Sequence, residues 1–248
     1  MKSYILIARP RLNPTGKPVV KLLIQHQETL SKGTNGLVEE AILLIRYRII
    51  GGILSDYQKQ TYEFPACYVS YYGDNGTISL TGSSPLEGAV YLDPDCIRGN
   101  RVGSFLMNQI VQWATQWPKA DINPIELSAY QGHGEHKCRR NRFYEQFGIK
   151  FDYIDNTHSA GMGRPMQAGS LIPWTKLPDN LTVIGLDDYL DEQKNTLFST
   201  QLDLMAEQKH SNLLQAELSK ISNSPFCFAI KTIWKNYSHI IGGVLLHR

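Results

Sequence analysis

The chain has 248 residues, with 25 Lys+Arg against 23 Asp+Glu for a formal charge of +2, and is 42% hydrophobic and 19% charged. These values exclude a disordered or collagenous chain and fit a globular protein of one large domain, or one domain with an appendage. A nucleic-acid binder usually carries a basic surplus that this chain lacks, and no apolar run approaches the ~20 residues that span a bilayer.

Four scattered cysteines, Cys67, Cys96, Cys138 and Cys227, form no CxxC pair and read as free thiols of a reducing compartment. The apolar stretch before Arg9 and Arg11 is too short for a secretion signal and reads as a first strand. The expected setting is the cytoplasm, with no membrane contact.

In chain order, residues 1–9 read as a strand, and Pro10, Pro14, Gly16 and Pro18 punctuate a loop. Val19, Leu22, Leu23 and Leu30 suggest a short helix over 19–30. Leu37 to Arg48 holds a buried-strand run, and Gly51-Gly52 marks a hairpin or bulge. An aromatic stretch follows (Tyr57, Tyr62, Phe64, Tyr68, Tyr71, Tyr72), then an Asp74-Asn75-Gly76 turn and a strand over Thr77–Leu80. The tyrosines at 62, 68, 71 and 72 read either as sheet packing or as the lining of an acceptor pocket.

Gly88–Asp93 reads as another buried strand, and Val102–Trp117 as a helix ended by Pro118. A strand over Ile125–Tyr130, a short helix over Arg140–Phe147 closed by Gly148, and a strand over Ile149–Ile154 paired with Met166–Trp174 complete this region. Pro173 and Pro178 mark a domain edge, so residues 1–175 form one domain and 176–248 an extension. Leu186–Ile221 reads as a packed helix or helix pair. Leu190, Leu197, Leu204 and Leu218 stand at multiples of seven, and Ser211 interrupts the series. Phe226–Leu246 reads as two strands. Ile240-Ile241-Gly242-Gly243-Val244-Leu245 echoes Ile49-Ile50-Gly51-Gly52-Ile53-Leu54, as a truncated second copy of the domain would.

The stretch Leu92-Asp93-Pro94-Asp95-Cys96-Ile97-Arg98-Gly99-Asn100-Arg101-Val102-Gly103-Ser104 lies between a strand and a long helix. Such a turn aims backbone N–H groups outward at a helix N-terminus, where the dipole adds partial positive charge, and so it suits a pyrophosphate. Gly99 and Gly103 would let phosphates approach the main chain, and Arg98 and Arg101 would add charge-assisted bonds. The alternative is an ordinary strand-to-helix turn.

This stretch resembles the acyl-CoA loop of the GCN5-related N-acetyltransferase (GNAT) superfamily, Arg-Gly-x-Gly-Ile-Gly-Ser. Arg98-Gly99-Asn100-Arg101-Val102-Gly103-Ser104 follows that pattern closely, with Arg101 in place of a glycine. Asn141-Arg142-Phe143-Tyr144-Glu145-Gln146-Phe147-Gly148-Ile149 resembles the family's Phe-Tyr-x-x-x-Gly-Phe helix, and 46 residues separate Arg98 from Tyr144.

The resemblance covers residues 1–175 and implies a mixed α/β (α+β) GNAT fold: a mostly antiparallel sheet splayed at its middle strands, helices on both faces, and here a C-terminal helical and β-hairpin extension. It implies acetyl-CoA as co-substrate, attacked directly by an amine acceptor. Leu92, Asp93, Asn141 and the 98–104 loop would bind acetyl-CoA, amides at the end of the Val90–Asp93 strand would polarise the thioester carbonyl, and Tyr144 would protonate the departing thiolate.

The general base must be a carboxylate or histidine near the cleft, and Asp93, Asp95 and Glu63 are the candidates. His133, Glu135, His136 and Cys138 invite a metal reading but lack a distant fourth partner, so an anion-facing loop completed by Arg139, Arg140 and Arg142 is the preferred reading. Two alternatives stay open: a binding module that keeps the fold without catalysis, and an acyltransferase acting on a protein, tRNA or DNA, which the basic 137–142 run would serve. A homodimer through the extension is a further expectation.

Overall fold

The computed structural model describes residues 2–53, 60–71, 74–84, 94, 97–129, 135–227 and 229–235. Alternation sets the first strands. In β1 (Lys2–Ala8), Tyr4, Leu6 and Ala8 point to the core, and β1 pairs antiparallel with β2 (Val20–Lys32) and with β10 (Leu181–Gly185). The helix expected over 19–30 is therefore a strand: Val20, Leu22 and Ile24 are buried at period two, while Lys21, Leu23 and Gln25 are half-buried on the other face. β3 (Val38–Gly51) follows, and its Ala41, Leu43, Ile45, Tyr47 and Ile49 line the same core face.

The Gly51-Gly52 pair marks a β-bulge: Lys21 pairs with Gly51 and Leu22 with Ile49, so Ile50 is the extra residue. Gly52 has φ +104°, and a Cβ there would lie 2.6 Å from the Val19 carbonyl oxygen.

β4 (Thr61–Val69) and β5 (Thr77–Ser79) extend the sheet, and β6 (Asp121–Ile122) closes it by pairing parallel to β5. The order is β10-β1-β2-β3-β4-β5-β6, antiparallel except at its last pair. Three residues beyond β6 the chain enters a second sheet, β7-β9-β8, made of β7 (Glu126–Leu127), β8 (Phe151–Tyr153) and β9 (Gly161–Gly163). The stretch 121–127 thus pairs first with β5 and then with β9, so the chain passes there from one sheet to the other.

The partner expected for 149–154 was 166–174, but the partner of β8 is β9, and Ala168–Ser170 forms a 3₁₀ turn instead. The architecture is mixed α/β with a mixed sheet.

α1 (Val102–Ala114) packs one face of the large sheet: Val102, Phe105, Leu106, Ile110 and Val111 are all buried there. Tyr144 of α2 (Glu135–Glu145), Phe147 and Phe151 join the same core. α2 starts earlier and ends earlier than the Arg140–Phe147 span expected.

The chain divides into two units, 1–189 and 190–248, so β10 belongs to the first unit, beyond the boundary expected at 175. α3 (Leu186–Asn223) is one unbroken 38-residue helix with no buried residue, so it is not the packed helix expected. Residues 225–227 and 229–235 are helical where a strand was expected. The second of the two expected strands and the Ile240–Leu245 echo lie outside the described residues, as does the Gly88–Asp93 strand. No helix among the described residues is long and apolar enough to cross a membrane.

Candidate functional site

The turn that leads into α1 is built from Ile97 onward. Ile97 is fully buried and its N–H bonds to the Pro94 carbonyl at 3.1 Å, which anchors the loop's start. Gly99 has φ +84°, and a Cβ there would meet nothing within 4 Å, so glycine answers to the backbone dihedral and leaves that side of the loop open.

Arg101 is the N-cap of α1 in the left-handed region, φ 64° and ψ 9°, at the position where the GNAT pattern carries glycine. Its carbonyl accepts the first intrahelical bond, from Phe105 N–H at 2.9 Å. The amides of Val102, Gly103 and Ser104 therefore have no acceptor within the helix, and the side chain of the N-cap residue Arg101 makes no capping bond to them. With no acidic residue in its first turn, the helix end keeps its partial positive charge.

Two side chains that sequence reasoning missed hold this loop. Asn180, 3% exposed, donates from Nδ2 to the carbonyls of Asn100 (3.1 Å) and Arg9 (3.0 Å), and so ties the loop to the β1–β10 edge. Gln146 donates from Nε2 to Ser104 Oγ at 3.0 Å and to the Phe143 carbonyl at 2.9 Å, which joins the first turn of α1 to the end of α2. Asn108, buried on the apolar face of α1, accepts from Trp174 N–H at 2.7 Å and fixes the segment that follows the 3₁₀ turn. A polar residue at a core position was the signal for Asn108. Asn180 and Gln146 carried none.

Tyr144 is 7% exposed and packs edge-on against Phe143 and Phe151, at ring-centroid distances of 4.9 and 5.7 Å. Burial pushes its phenol up to about 12, with the Arg140 guanidinium partly opposing. It is therefore a neutral O–H donor throughout the physiological range.

Asn141 and Arg140 are turned inward. Arg140 donates to the carbonyls of Ser128 (2.6 Å) and Ser159 (2.8 Å) and to Asn141 Oδ1 (3.1 Å), while Asn141 Nδ2 donates to the His158 carbonyl (3.1 Å). These bonds pin α2 to the end of β7 and to the 155–159 turn. Arg139 and Arg142 are exposed.

The expected site residues separate into three groups. The structure brings Arg98, Gly99, Asn100, Arg101, Val102, Gly103 and Ser104 to the N-terminus of α1, next to the helix that carries Tyr144. Glu63 lies elsewhere: it pairs with Arg46 at 2.9 Å on the half-exposed face of β3–β4, and Arg46 also reaches Gln27 at 2.7 Å. That ladder faces away from the core and α1, so Glu63 is not drawn to this site. Leu92, Asp93 and Asp95 lie outside the described residues, as does His133.

Among the described residues no group of three His, Cys, Asp or Glu side chains could hold a metal ion. Of the tyrosines, Tyr68 stacks on Trp117 (4.4 Å) and Tyr62 on Tyr47 (5.4 Å), both as packing, while Tyr71 is exposed.

Comparison with known proteins returns no matching family model, no matching curated sequence and no matching solved structure.

Proposed function

We propose that the protein is an acyl-CoA-dependent N-acyltransferase that moves an acetyl group from acetyl-CoA to an amine. The observation that carries this reading is the junction of the Arg98–Ser104 loop with the Tyr144 helix through Gln146. The two motifs of the GNAT resemblance, far apart in sequence, meet through this bond. The first-turn amides of α1 suit the pyrophosphate of CoA, with Arg98 and Arg101 beside them.

In the reaction, the amine nitrogen forms a bond to the thioester carbonyl carbon, the C–S bond breaks, and CoA leaves as a thiolate that takes a proton. Tyr144, held neutral by burial, is the group assigned to give that proton. The amine's own proton passes to a base, for which Asp93 and Asp95 remain the candidates.

Calorimetric titration of acetyl-CoA into the protein tests the reading. Binding that Arg98→Glu weakens, with an unchanged melting curve, supports the loop as the CoA site. Absence of binding to the folded wild type overturns it. The second reading, a binding module without catalysis, is favoured by the pairing of Glu63 with Arg46 and by Arg101 in place of a glycine. Acetyl-CoA binding without thioester turnover over a broad panel of amines would establish it.

A further inference from the structure

α2 carries a cation to which the acyl-transfer reading gives no part. Arg140 stands one helical turn before Tyr144, a spacing that puts two side chains on one face. Helical side chains lean toward the N-terminus, so Tyr144 leans toward the turn of Arg140. Three bonds fix the guanidinium: to the Ser128 carbonyl at 2.6 Å, the Ser159 carbonyl at 2.8 Å and Asn141 Oδ1 at 3.1 Å. None of these acceptors is charged, so they hold the positive charge in place without neutralising it.

The surroundings leave Tyr144 as the group that this charge acts on. α1 and β9 contain no charged residue, and Glu126 of β7 is exposed. On β8, Asp152 pairs with Arg164 at 2.7 Å, and the Tyr153 hydroxyl donates to Glu145 of α2 at 3.0 Å. In the 155–159 turn Asp155 accepts from Thr157 and Ser159, and His158 stacks on Tyr153 at 4.1 Å. Arg139 and Arg142 of α2 are exposed, and Lys137 lies two turns from Tyr144.

Burial pulls the Arg140 guanidinium down, and the anionic forms of Tyr144 and Tyr153 push it up. Reciprocally, burial pushes the Tyr144 phenol up to about 12 and Arg140 opposes. An ordinary thiol ionises near ~8.5, so moving a proton from this phenol to a thiolate runs uphill by roughly 10³-fold. A cation that favours the phenolate therefore acts on the step directly.

We propose that Arg140 is a positioning residue for the acid step: its fixed guanidinium stabilises the phenolate that Tyr144 becomes on giving its proton to the departing sulfur. The phenolate then regains a proton from water. This role rests on the acyl-transfer reading of the site, whereas the coupling of the two side chains does not.

The first test reads the coupling without acetyl-CoA. Difluorotyrosine in place of Tyr144 is a stronger acid, and fluorine NMR follows its ionisation. Arg140→Gln should raise the pH of half-ionisation by about one unit or more, as loss of a nearby opposite charge does. Arg140→Lys, which keeps the charge, should restore at least half of that shift. A merely structural Arg140 would lower the melting temperature in both variants and leave the titration in place, and that result overturns the proposal. With Arg140 intact, its Nε–H resonance should shift with the same midpoint as the fluorine signal, a readout that needs no substitution at 140. An unresponsive resonance overturns the proposal as well.

Turnover then separates this role from the reading beneath it. Arg140→Gln should lower acetyl transfer about tenfold at unchanged acetyl-CoA affinity. Turnover equal to that of wild type removes Arg140 from the acid step. A wild type that binds no acetyl-CoA overturns the site reading, and the role of Arg140 with it, while the titration still reports the coupling.

Discussion

Gln146 donates to Ser104 Oγ at 3.0 Å across 42 residues of sequence, and this bond sets the first turn of α1 beside the helix that carries Tyr144. Gln146 also holds the Phe143 carbonyl at 2.9 Å, so one amide serves both ends of the junction. Ser104→Ala removes only the bond between the helices and should lower stability by about 1 kcal/mol. Gln146→Leu removes both bonds and should cost about 1–3 kcal/mol, because it leaves polar groups partly unsatisfied. Urea midpoints at constant slope measure this; if the loop holds acetyl-CoA, the affinity should fall in the same order. Equal stability of both variants and wild type would show that the junction is held by other contacts.

Arg101 occupies a left-handed conformation that disfavours any residue with a Cβ, at roughly 1–2 kcal/mol. Glycine removes most of that strain but gains freedom in the unfolded chain, worth about 0.5–1 kcal/mol in the opposite direction. Arg101→Gly should therefore leave stability unchanged or raise it by up to about 1 kcal/mol. Arg101→Val, β-branched at positive φ, should lose more than ~1 kcal/mol. If the guanidinium contacts phosphate, Arg101→Gly will also weaken acetyl-CoA binding, so that stability and affinity move apart. Thermal melts and calorimetry on the same samples measure the two effects.

The helix over 102–114 was readable because its apolar residues follow a 3.6-residue period and Pro118 follows, and the long strand at 38–51 because its apolar run is dense. β2 was misread for a specific reason: Leu22 and Leu23 are adjacent, and that doublet hides the alternation of Val20, Leu22 and Ile24. β9 was invisible to propensity, since glycine is depleted in strands. Its glycines answer to crowding: a Cβ at Gly161 would lie 2.8 Å from the Asp152 carbonyl oxygen, and one at Gly163 3.1 Å from Ile125 N. Only tertiary contact dictates those residues.

The site divides in the same way. Its loop could be read from local pattern, whereas Asn180 and Gln146 act across 80 and 42 residues of separation and leave no local trace. Glu63 was selected by neighbourhood in sequence, and the β3–β4 register then turned it to the other face with Arg46.

His26 shares a 2.9 Å hydrogen bond with the Tyr4 hydroxyl, and burial, with Lys2 adding, lowers its imidazole to about 4. The folded state thus binds this proton less readily than the unfolded chain, whose histidine titrates near 6.5. The stabilisation is complete above about pH 6.5 and is lost as pH falls from there toward 4. His26→Gln, which keeps a polar partner for Tyr4 but cannot titrate, should flatten the stability profile over that window. Urea unfolding at a series of pH values measures it. A slope equal to that of wild type would assign the acid sensitivity to the carboxylates instead.

Tyr144 allows structure and chemistry to be separated. Phenylalanine keeps the ring contacts with Phe143 and Phe151 and removes only the hydroxyl, so Tyr144→Phe should fold with stability within about 1 kcal/mol of wild type near neutral pH. If the phenol protonates the departing thiolate, turnover should fall by roughly 10²–10⁴-fold while acetyl-CoA affinity stays the same.

The raised phenol makes a second prediction with a definite sign. Its folded value, about 12, lies above the ordinary value of 10, so its contribution to stability is complete below pH 10 and is lost as pH climbs toward 12. The buried Tyr4 phenol, raised further still, acts in the same direction. Tyr144→Phe should therefore reduce, but not abolish, the loss of stability above pH 10. If the phenol serves the proposed reaction, the wild-type rate should not decline between neutral pH and about pH 10 through loss of this proton. A variant that keeps full turnover would remove Tyr144 from the chemistry and leave it as a core aromatic of α2.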